Sequence, residues 1–202
     1  MSSKVEMWKS RKLNKSALVE WWDSMAGSAA GCGAPLEDDN FTMSLIRKER
    51  MIKSGGMALD IGCGSGRYCI AIADMGTAVT GIDISPKMIE AARKCAGNRE
   101  DASFHVEDWQ SLDLADKGWH KAFDLVLANI TPAILDSSTF VKMIDASRNW
   151  CLMVKLINRK TSPLDELIAL IGAPNFHAGT DEAIEYAFSI LWSKGFRPFF
   201  CV

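Results

Sequence analysis

Short apolar segments alternate along most of the chain with segments of helical periodicity. The apolar segments predict six strands, at Met57–Ile61, Ala78–Ile82, Ser103–Val106, Phe123–Ala128, Cys151–Val154 and Pro198–Val202. Because most of these runs are nearly continuous in apolar residues, they predict strands that are buried on both faces. The predicted fold class is therefore α/β: a doubly wound, mostly parallel sheet in a three-layer α/β/α arrangement.

Capping residues and periodicity predict the helices between these strands. Gly76 and Gly97 are placed to end two of them, and Ser85 with Pro86 to begin the second. The predicted helices cover Arg67–Met75, the segment from Pro86 to Gly97, residues 140–147, a short segment from Ser162, and Asp181–Ser193.

The segment before Met57 has a different pattern. Trp8, Leu18 and Trp22 belong to an apolar pattern that predicts an amphipathic helix, and a further helix is predicted over Phe41–Ile52. We expect residues 1–54 to form a helical cap or lid. Residues 55–202 are then expected to form the main domain, and the two parts together a single compact unit.

Composition and charge exclude several classes of protein. The 202 residues are 48% apolar and 24% charged, as in globular domains, and the net charge of −2 supplies no basic face for nucleic acid. No apolar run approaches the roughly 18 residues of a membrane span, and the N-terminus lacks a secretory signal. The six cysteines show no metal-binding or disulfide spacing. We expect a cytoplasmic protein with free thiols, no metal site and no membrane segment.

The segment Asp60-Ile61-Gly62-Cys63-Gly64-Ser65-Gly66 carries the main functional signal. It lies between a predicted strand and a predicted helix, where glycines let a ligand approach the backbone and the free N–H groups of the helix start. A dinucleotide site would have its third glycine, or an alanine, at position 67, which is Arg in this chain. Asp60 would repel a pyrophosphate but would attract the cationic groups of S-adenosylmethionine. The spacing therefore favours S-adenosylmethionine.

Acidic residues follow the next two strands. Asp83 ends the second strand about 20 residues after the glycines, where a carboxylate can accept hydrogen bonds from both ribose hydroxyls. Asp108 follows the third strand, where it could accept a hydrogen bond from an adenine amino group. From the residues alone, a helix-capping role for Asp83 and a surface-turn role for Asp108 stay open. The fourth strand leads to Asn129 at the same edge of the sheet.

These motifs resemble those of class I S-adenosylmethionine-dependent methyltransferases, from Met57 to about Pro132. The resemblance implies S-adenosylmethionine as cofactor, with Gly62 and Gly64 under its methionine moiety, Asp83 at the ribose, and Asn129 at the amino-acid end or facing the acceptor. The implied cofactor-binding residues are Asp60, Gly62, Gly64, Gly66, Asp83, Ile84, Asp108, Trp109 and Asn129.

Two features depart from the family pattern. Members that methylate amide or base nitrogens carry two prolines after this asparagine, whereas Asn129 is followed by Ile130-Thr131-Pro132, so those acceptors lose support. The family sheet also ends in an antiparallel hairpin, of which this chain offers only Pro198–Val202. Either the final antiparallel strand is missing, or the sheet edge is completed in another way, such as pairing with a second copy in a homo-oligomer.

The acceptor side is less defined by sequence. The catalytic candidates are Asn129, Asp23 and His177, and Trp22 and Tyr68 are candidates for an aromatic wall. Each has an alternative role in packing, in a turn or on the surface.

The sequence thus predicts an S-adenosylmethionine-dependent methyltransferase with a small-molecule acceptor. Because the methyl group of the donor is already activated, the protein mainly has to align the acceptor and exclude water. The alternatives are a methyltransferase acting on RNA or protein through the basic N-terminal run, and a non-catalytic subunit that binds S-adenosylmethionine or serves as a scaffold.

Overall fold

The structure, a computed structural model, describes Trp8 and residues 14–26, 40–155 and 180–198. Its described strands form one parallel sheet in the order β3-β2-β1-β4-β5. They are β1 (Met57–Ile61), β2 (Ala78–Asp83), β3 (Ala102–Val106), β4 (Phe123–Asn129) and β5 (Ser147–Val154). The strand order reverses between β1 and β4. In such sheets, ligands bind at the carboxyl ends of the strands at this point.

Helices cover both faces of the sheet. They are α1 (Lys15–Met25), α2 (Phe41–Lys48), α3 (Arg67–Ala73), α4 (Pro86–Ala96), α5 (Leu114–Lys117), α6 (Ser137–Ala146) and α7 (Thr180–Ser193). One buried apolar cluster joins the sheet to α2, α3 and α4, and a second joins it to α5, α6 and α7. Successive residues of β1 and β4 alternate between the two clusters, as the pleat requires. The predicted three-layer α/β/α class is confirmed.

The boundaries differ from the prediction where tertiary pairing extends or shortens an element. β5 begins at Ser147, a residue assigned to the preceding helix from sequence, because Ser147 pairs with Phe123 and Arg148 binds Asp124 beside it. The polar start of this strand has no apolar signal. The short helix α5 was not predicted, and α2 ends at Lys48 rather than at Ile52.

Some predictions lie outside the described residues. They are the helix from Ser162, the position of His177, and the strand Pro198–Val202 beyond its first residue. In the described part of the chain no helix is long and apolar enough to span a membrane, and no three His, Cys, Asp or Glu side chains are grouped to hold a metal.

The described cysteines differ in oxidation state. Cys63, Cys69 and Cys151 are free, whereas Cys95 is disulfide-bonded. The expectation of free thiols throughout is therefore wrong for Cys95, because the spatial proximity of two cysteines cannot be deduced from their spacing in the sequence.

Candidate functional site

The turn after β1 has a left-handed backbone at each of its three glycines. The φ angles of Gly62, Gly64 and Gly66 are 71°, 53° and 80°. A Cβ at Gly62 would lie 2.1 Å from Thr131 Oγ1, and one at Gly66 would lie 2.8 Å from Phe104 Cε1. A Cβ at Gly64 would meet no atom within 4 Å. Packing therefore demands glycine at two of these positions, and the third leaves the backbone open to a ligand.

Asp83, at the end of β2, ties this turn to the neighbouring strand. Its carboxylate accepts hydrogen bonds from the backbone N–H groups of Gly64 (3.0 Å) and Ser85 (2.9 Å). Burial raises the pKa of Asp83 above its ordinary value, while the hydrogen bonds from Ser85 and Gly64 act to lower it. The carboxylate is thus fixed in position by backbone donors on both sides.

Asp108, after β3, is held by three donors. It accepts hydrogen bonds from Lys15 Nζ (2.5 Å), the Gln110 N–H (2.9 Å) and Ser111 Oγ (3.1 Å). Burial acts to raise the pKa of Asp108, but Lys15 and the other donors outweigh it and hold the pKa below its usual range. Lys15 lies on α1, so the cap helix contacts the carboxylate that was expected at the adenine.

A cleft at the carboxyl edge of the sheet brings together six of the nine predicted cofactor-binding residues. They are Gly62, Gly64, Asp83, Ile84, Asp108 and Trp109. Leu18 and Trp22 of α1 form part of its wall. The Trp22 ring contacts Trp21 edge-on, with 4.4 Å between centroids. Because Trp22 lines the cleft, its ring is placed where the predicted aromatic wall would lie.

Two predicted residues lie beneath the turn rather than in the cleft. Asp60 is 2% exposed and points toward α3, where Cys69 Sγ donates a hydrogen bond to its Oδ2 (3.4 Å). Burial, as the largest effect, raises the pKa of Asp60 to about 7. Gly66 packs against Phe104. These residues shape the turn from below.

Trp109 lines the cleft with its hydrogen-bonding group already engaged. It is 2% exposed, and its Nε1–H donates to the carbonyl of Thr139 (3.1 Å). Lys142 lies 5.5 Å from the ring centroid and donates to the carbonyls of Trp109, Gln110 and Leu112. The indole therefore offers a cofactor apolar surface rather than a donor.

The acceptor-side candidates separate in space. Asn129 ends β4, and its Oδ1 accepts a hydrogen bond from Thr42 Oγ1 (3.2 Å). Tyr68 does not line the cleft, and its Oη accepts a hydrogen bond from Asn40 Nδ2 (3.2 Å). Asp23 binds the start of α4, accepting from Ser85 Oγ (2.5 Å) and the Lys87 N–H (3.3 Å).

Sequence reasoning missed several residues of this region. Thr42 and Asn40 belong to no motif, and the only local signal was that Asn40 can cap a helix, as it does for α2. Ile130 lines the cleft with 48% of its surface exposed and has a φ of 49°. A β-branched residue in the left-handed region is strained, and such strain concentrates at functional sites.

Comparisons with known proteins identify the family of this chain. A methyltransferase-domain family model matches residues 52–172, more than half of the chain. The chain is 40% identical over 84 residues, 41% of its length and 25% of the relative's, to a ribosomal protein L11 methyltransferase of Burkholderia mallei. It is also 40% identical over 80 residues to a mitochondrial ubiquinone biosynthesis O-methyltransferase of Schizosaccharomyces pombe, covering 38% of this chain and 27% of that relative.

A solved structure shares the fold. Phosphoethanolamine N-methyltransferase 2 of Haemonchus contortus, in complex with phosphomonomethylethanolamine and S-adenosylhomocysteine, matches with a TM-score of 0.54 at 20% identity. The match covers 73% of this chain and 36% of that one. The chain spans about a quarter of the length of the curated relatives it matches. On the family match and the fold, the chain belongs to the class I S-adenosylmethionine-dependent methyltransferases.

Proposed function

We propose that this chain transfers the methyl group of S-adenosylmethionine to a small-molecule acceptor. The observation that carries the proposal is the cleft in which the open backbone of Gly64 and the fixed carboxylates of Asp83 and Asp108 lie side by side. Asp83 would accept from the ribose hydroxyls, Asp108 from the adenine amino group, and Ile84 would pack on the adenine face. The cofactor's methionine end would then extend over the glycine turn toward β4.

Because the methyl group of the donor is already activated, the protein mainly has to place the donor and the acceptor in line. An acceptor lone pair attacks the methyl carbon in line, the C–S bond breaks, and S-adenosylhomocysteine leaves. Asp83 orients the donor, while Trp22 and Leu18 of α1 exclude water from the reacting atoms. Because the sulphonium is cationic and the thioether product is not, the carboxylate of Asp83 at the cleft favours the donor over the product.

The acceptor class and the domain roles are assigned from separate observations. A small molecule is favoured over nucleic acid by the net charge of −2. Residues 1–54 are proposed as the cap, because α1 lies over the cleft, and residues 55–202 as the unit that binds the donor. A protein acceptor is the second candidate, favoured by the likeness to the ribosomal protein L11 methyltransferase.

Calorimetric titration with S-adenosylmethionine and S-adenosylhomocysteine tests the donor site. We expect both to bind at micromolar concentrations. If neither compound binds, the proposed donor site is wrong.

Radiolabelled S-adenosylmethionine then separates the acceptor classes. With the label on the donor methyl group, a new labelled small molecule other than S-adenosylmethionine in a cell extract supports the proposal. Label found only in the protein fraction favours the second candidate. Donor binding with no transfer to either fraction indicates a non-catalytic binding subunit.

A further inference from the structure

The turn after β3 carries two of the residues that line the cleft, Asp108 and Trp109. We call residues 108–112 the post-β3 turn. Its backbone closes on itself, because the N–H groups of Ser111 (3.1 Å) and Leu112 (2.9 Å) both donate to the carbonyl of Asp108. A single turn of this kind leaves its later carbonyls without partners inside the turn. The shape of the turn therefore depends on donors from elsewhere in the molecule.

Lys142 of α6 supplies those donors. Its Nζ donates to the carbonyls of Trp109 (2.9 Å), Gln110 (3.2 Å) and Leu112 (2.7 Å). An ammonium has three N–H donors, which matches the three carbonyls of this one turn. Cations bind in the same way at the C-terminal end of a helix, where the carbonyl dipoles point toward them. Lys142 therefore ties the backbone of the post-β3 turn to α6.

A second contact ties the same turn to the same helix. The indole N–H of Trp109 donates to the carbonyl of Thr139 (3.1 Å), and this indole is 2% exposed. The Nζ of Lys142 lies 5.5 Å from the centroid of the Trp109 ring, a distance at which a cation attracts the π face. Thr139 is itself held by the capping box of α6, in which Asp136 accepts from its backbone N–H (2.8 Å). The backbone and the side chain of Trp109 are thus fixed to one helix.

Lys142 acts on the backbone of the turn and not through the Asp108 carboxylate. That carboxylate is bound instead by Lys15 of α1 (2.5 Å). Burial, as the largest effect, lowers the pKa of Lys142, whereas the nearby charges of Asp108, Asp113 and Asp136 act to raise it. An adenine amino group that displaced Lys15 from Asp108 would leave the three carbonyl contacts of Lys142 in place.

We propose that Lys142 is a positioning residue of the donor site, whose ammonium holds the post-β3 turn in the shape that presents the Asp108 carboxylate to the adenine amino group. This inference rests on the proposed donor site. Without the ammonium, three carbonyls would lose their donor, and the turn would change shape to reach other partners or water. Asp108 would then no longer be fixed opposite the adenine, and recognition of the amino group would weaken.

The test compares two ligands that differ at the amino-bearing edge of the purine. They are S-adenosylhomocysteine and S-inosylhomocysteine, in which a carbonyl oxygen takes the place of the adenine amino group. Each is titrated calorimetrically into the full chain. We expect the unaltered chain to prefer S-adenosylhomocysteine at least about tenfold, because a carbonyl oxygen cannot donate to the Asp108 carboxylate and is repelled by it.

Two variants of Lys142 test the positioning role. Lys142→Met removes the ammonium and keeps the length of the side chain. It should weaken S-adenosylhomocysteine binding by about tenfold and reduce the preference over S-inosylhomocysteine to less than about threefold. Lys142→Arg keeps a cation with N–H donors and is expected to retain most of the preference. A loss of packing alone would lower both affinities together and leave their ratio unchanged, so the ratio reports the positioning of Asp108.

Lys121→Met is the matched control. Lys121 also donates through its Nζ to a backbone carbonyl, that of Ile144 in the last turn of α6 (2.9 Å). It precedes β4 and so lies at the edge of the sheet opposite to the cleft. We expect this variant to keep both affinities within about twofold of those of the unaltered chain.

The outcomes separate this inference from the proposed function. If the unaltered chain binds neither ligand, or binds both equally, the proposed donor site or its Asp108 assignment is wrong, and the inference falls with it. If the unaltered chain discriminates and Lys142→Met discriminates equally well, the positioning role alone is wrong. Loss of the preference in Lys142→Arg, shown by urea unfolding to be folded, would also overturn that role.

Discussion

Two regions at the carboxyl edge of the sheet are built in different ways. At the proposed donor end, which lies in the cleft, carboxylates are fixed by backbone N–H groups close in sequence, as in the pairs Asp83–Ser85 and Asp108–Gln110. Around Asn129 and α2, outside the cleft, neutral side chains pair across 28 and 87 residues of chain. A donor of constant chemistry can be held by short motifs on strand ends, whereas acceptor contacts come from cap elements that vary. The contrast explains why one end is recognisable from sequence and the other is not.

The largest expected effect is the loss of the donor-end carboxylate. Asp83→Ala removes the proposed acceptor of the ribose hydroxyls and the observed acceptor of the Gly64 N–H. Two hydrogen bonds to a charged group contribute about 4 kcal/mol, so calorimetry should show S-adenosylhomocysteine affinity falling roughly 1000-fold. Asp74→Ala is the control, because Asp74 is exposed at the far end of α3. Unchanged affinity in Asp83→Ala would show that the donor end was assigned wrongly.

Gly62 packs the glycine turn against Thr131 in the loop after β4. In Gly62→Ala the new methyl would overlap Thr131 Oγ1, whereas in Gly118→Ala, at a similar positive φ in the left-handed region, it would meet open space. We expect urea unfolding to show a loss of about 3 kcal/mol for Gly62→Ala and about 1 kcal/mol for Gly118→Ala. Equal losses would mean that backbone strain alone, and not the contact with the β4 loop, requires glycine here.

Asp60 gives a pH-dependent test of the layer beneath the donor end. Its pKa in the folded protein, about 7, is above the ordinary value of 3.8 because of burial. The folded protein therefore binds more protons than the unfolded chain between pH 4 and 7, and this group's contribution to stability falls as pH rises through that window.

Asp60→Asn removes this titration. The stability of the variant relative to the unaltered protein should rise by roughly 2 kcal/mol between pH 4 and 6, as measured by urea unfolding at each pH. A difference that stays constant with pH would contradict the raised pKa of Asp60.

The smallest effect concerns the contact between the cap and the donor end. Lys15→Met frees the Asp108 carboxylate, for which an adenine amino group would otherwise have to compete with Lys15. Because Lys15 is 51% exposed, the ion pair contributes less than about 1 kcal/mol, and S-adenosylhomocysteine affinity should rise a few-fold at low salt. The gain should shrink at high salt. A fall in affinity would mean that Lys15 helps to hold the cofactor.

Much of the donor end could be predicted because its determinants are local. The periodicity of Met57–Ile61 and the glycines after it gave the strand and the turn. The alternation of side chains along that strand, however, directs Asp60 to α3 and away from the cleft. Trp109 does line the cleft, but its indole N–H donates to the carbonyl of Thr139, a contact that the sequence did not predict.

The sequence by itself determined the α/β class, the central strands, the glycine turn and the acidic residues at the strand ends. Each of these follows from side-chain periodicity or from backbone angles that few residues adopt. Only the tertiary structure decided which carboxylates face the cleft, that Lys15 pairs with Asp108, and that Thr42 meets Asn129. Those contacts depend on how α1 and α2 dock on the sheet edge, which is set by packing between distant segments that no local pattern encodes.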